Sequence, residues 1–254
     1  MLVDNRLKII VAITAVSIIA VFSMDPIAQD PAYHHFADRR GTLNIPNIYN
    51  ILSSLPFVII GIMGMRLVAL GRASGGLVEL QAVYMTFFTG VFLTGFGSVY
   101  YHYHPDNQTL LWDRLPMTIA FMAFFSAIVG ETISSQMALK LFIPLLVSGI
   151  ASVVYWHVSE LNGHGDLRAY VLVQFLPILL IPLILWLFNS RLNGNKYIWG
   201  IIIAYALSKL MEFFDVRIYS ALGVISGHSL KHLVAAFAAF IFYRALRNRR
   251  ILSI

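Results

Sequence analysis

Eight apolar stretches of roughly 17 to 25 residues recur along the chain, at about 7–23, 47–70, 78–103, 113–131, 138–158, 168–188, 196–213 and 228–247. At 1.5 Å per residue a helix of that length crosses a hydrocarbon core of about 30 Å. The pattern predicts an all-α, polytopic transmembrane helix bundle, with no internal repeat and no linker to a second domain. Arg6 and Lys8 ahead of the first stretch resemble the start of a secretory leader. That stretch is long for a leader, however, and Met24-Asp25-Pro26 is a poor cleavage site, so 1–24 reads as a retained membrane helix. The segment 25–46 is rich in Pro, Asp and His and is the longest non-helical stretch, expected to cap the bundle.

Composition agrees with the pattern. Of 254 residues 59% are hydrophobic and 12% charged, about half the charge of a soluble domain, and the mean hydropathy is +0.76. The net charge of +6 would suit nucleic acid, but the tail Arg244, Arg247, Arg249, Arg250 directly follows an apolar stretch, as a cytoplasmic anchor does. No basic patch is interleaved with aromatics for base stacking, so nucleic-acid binding is not expected. The absence of cysteine removes disulfides, thiolate zinc sites and cysteine nucleophiles together.

Alternating the loops between two sides places eleven of the eighteen basic residues with the termini and seven opposite. The positive-inside rule then puts both termini in the cytoplasm and 25–46 outside. In that topology Ser98 and His102 end the third stretch, Asp113 begins the fourth, and His228 and His232 begin the last, all toward the extracytoplasmic side.

These five residues carry the candidate chemistry. His228 and His232 are four apart and share one helix face, the spacing that grips one metal ion. Together with His102 they make three imidazoles, a set that suits catalytic zinc because a fourth position stays open. Ionisable groups at membrane depth are costly and need a partner or a function. Taken singly, each has a plainer reading: Asp113 as a helix cap, Ser98 back-bonding to a carbonyl, His102 as an interfacial histidine. His34, His35, His104, His157 and His164 fall in or beside outer loops, where solvated imidazoles need no special account. Lys209, Glu212 and Asp215 are spaced for ion pairing along one helix face. Asp25, Asp30 and Asp38 could hold a hard cation.

The segments "GFGSVYYH", "LLWDRLPM" and "SGHSLKHL" resemble the three signature segments of the alkaline ceramidases, within the CREST superfamily of membrane hydrolases that also includes the adiponectin-receptor relatives. Ser98, His102, Asp113, His228 and His232 fit the family pattern at every spacing, and "PNIYNILSSLPF" places Asn50 and Ser53 at matching positions. The likeness covers about 44–247. It implies that 47–250 is a seven-helix ceramidase-like domain with one extra amino-terminal span. It also implies zinc on His102, His228 and His232, and catalytic roles for Asp113 and Ser98 toward the zinc water and the oxyanion. Asn47 stands where members with a calcium site carry Glu, so calcium is not expected unless Asp25, Asp30 and Asp38 replace that site. The "DPAYHHFADRR" loop resembles bacterial ceramidase-like proteins.

The expected function is a zinc-dependent intramembrane amide hydrolase of sphingolipid metabolism. Its substrate would be ceramide or a similar N-acyl lipid, and its products a fatty acid and a long-chain amine. The alternatives are a non-enzymatic, receptor-like lipid binder with structural zinc and a transporter in which Lys209, Glu212 and the intramembrane histidines relay protons, which no inverted repeat or broken mid-membrane helix supports. The bilayer and a lipid amide are the only partners the sequence implies.

Overall fold

The computed structural model describes residues 4–252. Among these described residues nine α-helices follow one another: α1 (Asn5–Phe22), α2 (Ile48–Ala69), α3 (Gln81–Tyr103), α4 (Asn107–Thr132), α5 (Ser135–Leu161), α6 (Arg168–Leu187), α7 (Lys196–Phe213), α8 (Asp215–Leu222) and α9 (Gly227–Asn248). The fold is all-α, and each of the eight apolar stretches is a helix. Seven of these helices are individually long and apolar enough to cross a membrane. The eighth, α7, carries Lys196, Lys209 and Glu212 and meets that test only jointly with α8, from which it is bent by 77°. The amphipathic eight-residue α8 was not foreseen.

Helix α4 starts six residues before the expected position. Asp106 caps it, accepting from Thr109 N at 2.7 Å, while Thr109 Oγ1 accepts from Asp106 N in return, a reciprocal capping box. With the cap filled by Asp106, Asp113 is left in the second turn and does no capping. Ser226 caps α9, accepting from Ser229 N at 3.1 Å.

The helices pack in the order α7, α9, α2, α3, α4, with α5 and α6 beyond α4. Phe87, Phe88, Phe124 and Phe242 fill the centre of one half with ring centroids 4.9 to 6.1 Å apart. Helices α6 and α7 lack the sustained packing of the other neighbours. A hydrogen bond of 2.7 Å from Gln174 to the Tyr205 hydroxyl spans them, and a cavity lies between them and the core. Helix α1 lies outside against α6 with none of its described residues buried.

The loop before α2 is tied down at one end of the bundle. Gln29 N donates to Glu160 Oε1 at 2.6 Å, Leu167 N to Ile27 O at 2.8 Å, and Ala37 N to Asp215 Oδ2 at 3.0 Å. His34 is not a solvated imidazole: its ring nitrogens lie 3.0 Å from the Tyr101 hydroxyl and 3.0 Å from Asn107 Oδ1. His157 is likewise half-buried, with an unpartnered Nδ1. Arg249 departs from the expected surface anchor. Its guanidinium makes two bonds of 2.8 and 2.7 Å to Glu131, and both side chains are 2% exposed.

Candidate metal centre

The three candidate ligands converge. His102 sits on the last turn of α3, and His228 and His232 sit on successive turns of α9, with all three buried. His102 Nε2 is 3.3 Å from His232 Nε2 and 3.4 Å from His228 Nε2, and every pair of ring centroids is 4.9 Å apart. Zinc bound tetrahedrally at about 2.0–2.1 Å per nitrogen requires nitrogens about 3.3–3.4 Å apart. Protons placed between these nitrogens cannot satisfy all three at once, whereas one cation at the centre can. The donor set therefore fits a zinc-like ion, and no other group of described residues gathers three such donors.

Surrounding contacts fix the rings. Ser53 Oγ is 2.9 Å from His232 Nδ1 and also 2.9 Å from Asn50 O. A hydroxyl has one proton. With that proton on the Asn50 carbonyl, Nδ1 must be the protonated nitrogen of His232, which leaves the Nε2 lone pair for a metal. The backbone N–H of His228 donates to Asp215 Oδ1 at 2.7 Å, anchoring the start of α9 to α8. Asp215 is thus not the third member of an ion-pair row. Asn47, the N-terminal cap of α2 with a left-handed backbone (φ 47°), donates from Nδ2 to His102 O at 2.9 Å. A carboxylate at that position has no proton to give. Phe36, from the loop, packs its ring 4.7 Å from that of His102 and 4.6 Å from that of His228, closing the outer side of the cluster.

Gly97 brings the helices that carry Ser98 and Asp113 close together. A Cβ there would lie 2.1 Å from Trp112 O and 3.1 Å from Asp113 Cα, so only glycine lets α3 and α4 approach this closely. Ser98 Oγ is 2.9 Å from Ser54 Oγ, whose own proton can go to Asn50 O at 2.9 Å. Ser98, Asp113 and His232 all line a cavity of about 470 Å³ whose far walls are apolar side chains of α3, α4, α6, α7 and α9. That size and lining suit a lipid tail.

Lys209 and Glu212 pair at 2.7 Å, as their spacing implied. Glu212 also pairs with Lys231 and accepts from the Tyr33 hydroxyl at 3.2 Å. Phe36, Tyr33 and Ser54 are further neighbours of the site that no local period links to α9, whereas Lys231 stands on α9 itself between the two histidines. The loop acids do not converge: Asp30 accepts from Ala32 N at 2.8 Å and Asp38 is bound by Arg40 at 2.6 and 2.8 Å. The suggested replacement calcium site is therefore not formed among the described residues. Beside Asp38, the Arg40 guanidinium holds the carboxyl below its ordinary range.

A family model described as Ceramidase matches residues 41–251, from the end of the loop through α9. No curated protein matches the chain.

Proposed function

Because this chain belongs to the ceramidase family, we propose that it is a zinc-dependent amide hydrolase working within the membrane, on ceramide or a similar N-acyl lipid. Products are a fatty acid and a long-chain amine. What carries the reading is the 3.3 and 3.4 Å spacing of the three imidazole nitrogens at the head of an apolar cavity. Zinc held by His102, His228 and His232 would acidify a water and polarise the amide carbonyl. Asp113 receives the proton as the water oxygen adds to the carbonyl carbon, then delivers it to the nitrogen as the C–N bond breaks. Ser98 donates to the oxygen that gains charge. The Ser98 proton becomes available when Ser54 turns its own toward Ser98 and away from Asn50 O. Asp113 lies outside the group of donor atoms close enough to share an ion, which supports an open fourth position over a closed, structural one. The excess of basic residues on the side of the termini supports a site at the extracytoplasmic end.

The test is metal analysis of the purified protein paired with mass spectrometry of fatty acid release from several N-acyl lipids. His228→Ala is expected to lose both zinc and turnover. Asp113→Ala is expected to keep zinc and lose turnover. Full activity in either variant overturns the reading.

A further inference from the structure

Beside the metal ligands, the same cavity is lined by charges that hydrolysis does not need. Lys209 on the last turn of α7 and Lys231 on α9, one residue before His232, both line it. Each ammonium has three N–H donors, and each spends one on Glu212. Glu212 is by contrast well supplied, Oε1 taking Lys231 and the Tyr33 hydroxyl and Oε2 taking Lys209. The side chains of Lys209 and Lys231 keep 34% and 17% of their surface exposed, and both face the cavity.

Arg114, itself buried, adds a third cation to this wall. Its polar partner is the neutral Gln29, whose Oε1 accepts from Nη2 at 2.6 Å, and among the described residues no carboxylate forms an ion pair with it. Trp156 and Tyr170 flank its guanidinium at 4.2 and 4.7 Å. Against these three cations the buried wall offers Glu212 and Asp113, and Asp113 is committed to the water. Asp30, the remaining acid of the lining, is exposed and caps the short turn Pro31–His34. A low-dielectric wall with surplus positive charge and unspent ammonium donors favours an anion.

Resting on the hydrolase reading above, we propose that Lys209 and Lys231 recognise an anionic group close to the scissile amide. The preferred substrates are then anionic N-acyl lipids, carrying a carboxylate as in an N-acyl amino acid or a phosphate as in a phosphorylated ceramide. Lys209, Lys231 and His232 line the same cavity, so one substrate can offer an anion to the ammoniums and an amide to the ion. The acyl chain fills the apolar depth.

The experiment compares the zinc-loaded full chain on four probes: an N-oleoyl amino acid, ceramide 1-phosphate, unmodified ceramide and N-oleoylethanolamine. Either anionic probe is expected to exceed its neutral counterpart at least tenfold in kcat/KM, and the better of the two identifies the anion. Lys209→Gln is expected to erase that ratio, mainly through KM and with zinc content unchanged, and Lys209→Arg to retain most of it. Neutral probes turned over as well as anionic ones overturn the inference while leaving the hydrolase reading intact. Direct binding of radiolabelled probes separates the two ideas: anion-selective binding without any turnover strikes down hydrolysis and supports the recognition pair. Equal ratios in wild type and Lys209→Gln overturn it even if Lys231→Gln fails to fold.

Discussion

Ser53 Oγ lies 2.9 Å from His232 Nδ1, joining the first turns of α2 to those of α9 at the back of the metal cluster. This contact sets which ring nitrogen faces the ion. Partners of this kind change metal affinity by about 10–100-fold when removed. Ser54 Oγ stands 3.4 Å from the same nitrogen and can take over in part. Ser53→Ala is therefore expected to weaken zinc by about tenfold, and Ser53→Ala with Ser54→Ala by about 100-fold. Competition against a chelator of known affinity measures both. Unaltered affinity in the double variant would remove the orienting role.

Gly97 is expected to be intolerant of a single added methyl. The new Cβ would sit 2.1 Å from a backbone oxygen that cannot rotate away, so α4 must shift relative to α3. Overpacking of this kind costs about 1–3 kcal/mol, and the shift separates Ser98 from Asp113. Gly97→Ala should lower the thermal midpoint and abolish turnover. Gly200→Ala is the control: its Cβ meets nothing closer than 3.6 Å, and alanine gains up to about 1 kcal/mol inside a helix. Full turnover in Gly97→Ala would show that the close approach is dispensable.

The helices and the pairing of His228 with His232 are legible in the sequence for one reason each: uninterrupted apolarity, and a four-residue histidine spacing that a helix places on one face. The start of α4 was misplaced because Asn107-Gln108-Thr109 is polar, and its capping box outweighs that polarity. The short α8 leaves no mark in the hydropathy pattern, because an amphipathic eight-residue helix has no apolar run. Asp215 looked like a neighbour of Glu212 on a continuous helix. The 77° bend breaks that row and turns its carboxylate toward α9. Phe36 and Arg249 were out of reach for a different reason, since their partners lie far away along the chain and no local pattern specifies them.

Acid is expected to loosen the junction of α5 with α6 first. Asp166, in the loop between those helices, accepts from Arg168 at 2.9 and 2.8 Å and from the Tyr155 hydroxyl at 2.9 Å. The Arg168 guanidinium, with Tyr155, draws the Asp166 carboxyl down to about 2, against about 3.9 in an unfolded chain. A depressed folded value means the contribution is whole above about pH 4 and disappears as pH falls toward 2. Arg168 also holds Met24 O at 2.6 Å, so the loop's amino-terminal end should loosen together with the helix junction. Melting curves at pH 5, 4 and 3 should show a decline in the wild type that is shallower in Asp166→Asn. Parallel declines would assign the acid sensitivity to other groups.

Stability and chemistry are expected to separate at opposite ends of the bundle. Arg249 and Glu131 are buried at the end away from the histidines, with Tyr84 donating to Glu131 Oε1 at 2.8 Å and Arg249 Nε to Gly75 O at 3.2 Å. Removing one member strands the other charge, a loss of about 3–5 kcal/mol, whereas replacing both by apolar residues recovers part of it. Arg249→Met should therefore lower the unfolding midpoint sharply, and Arg249→Met with Glu131→Met should restore some of the loss. Zinc stoichiometry in the protein that remains folded should not change in either, because no residue of this cluster touches His102, His228 or His232. A loss of zinc that exceeds the loss of folded protein would mean that the two ends are coupled through α3 and α9, the helices that reach both.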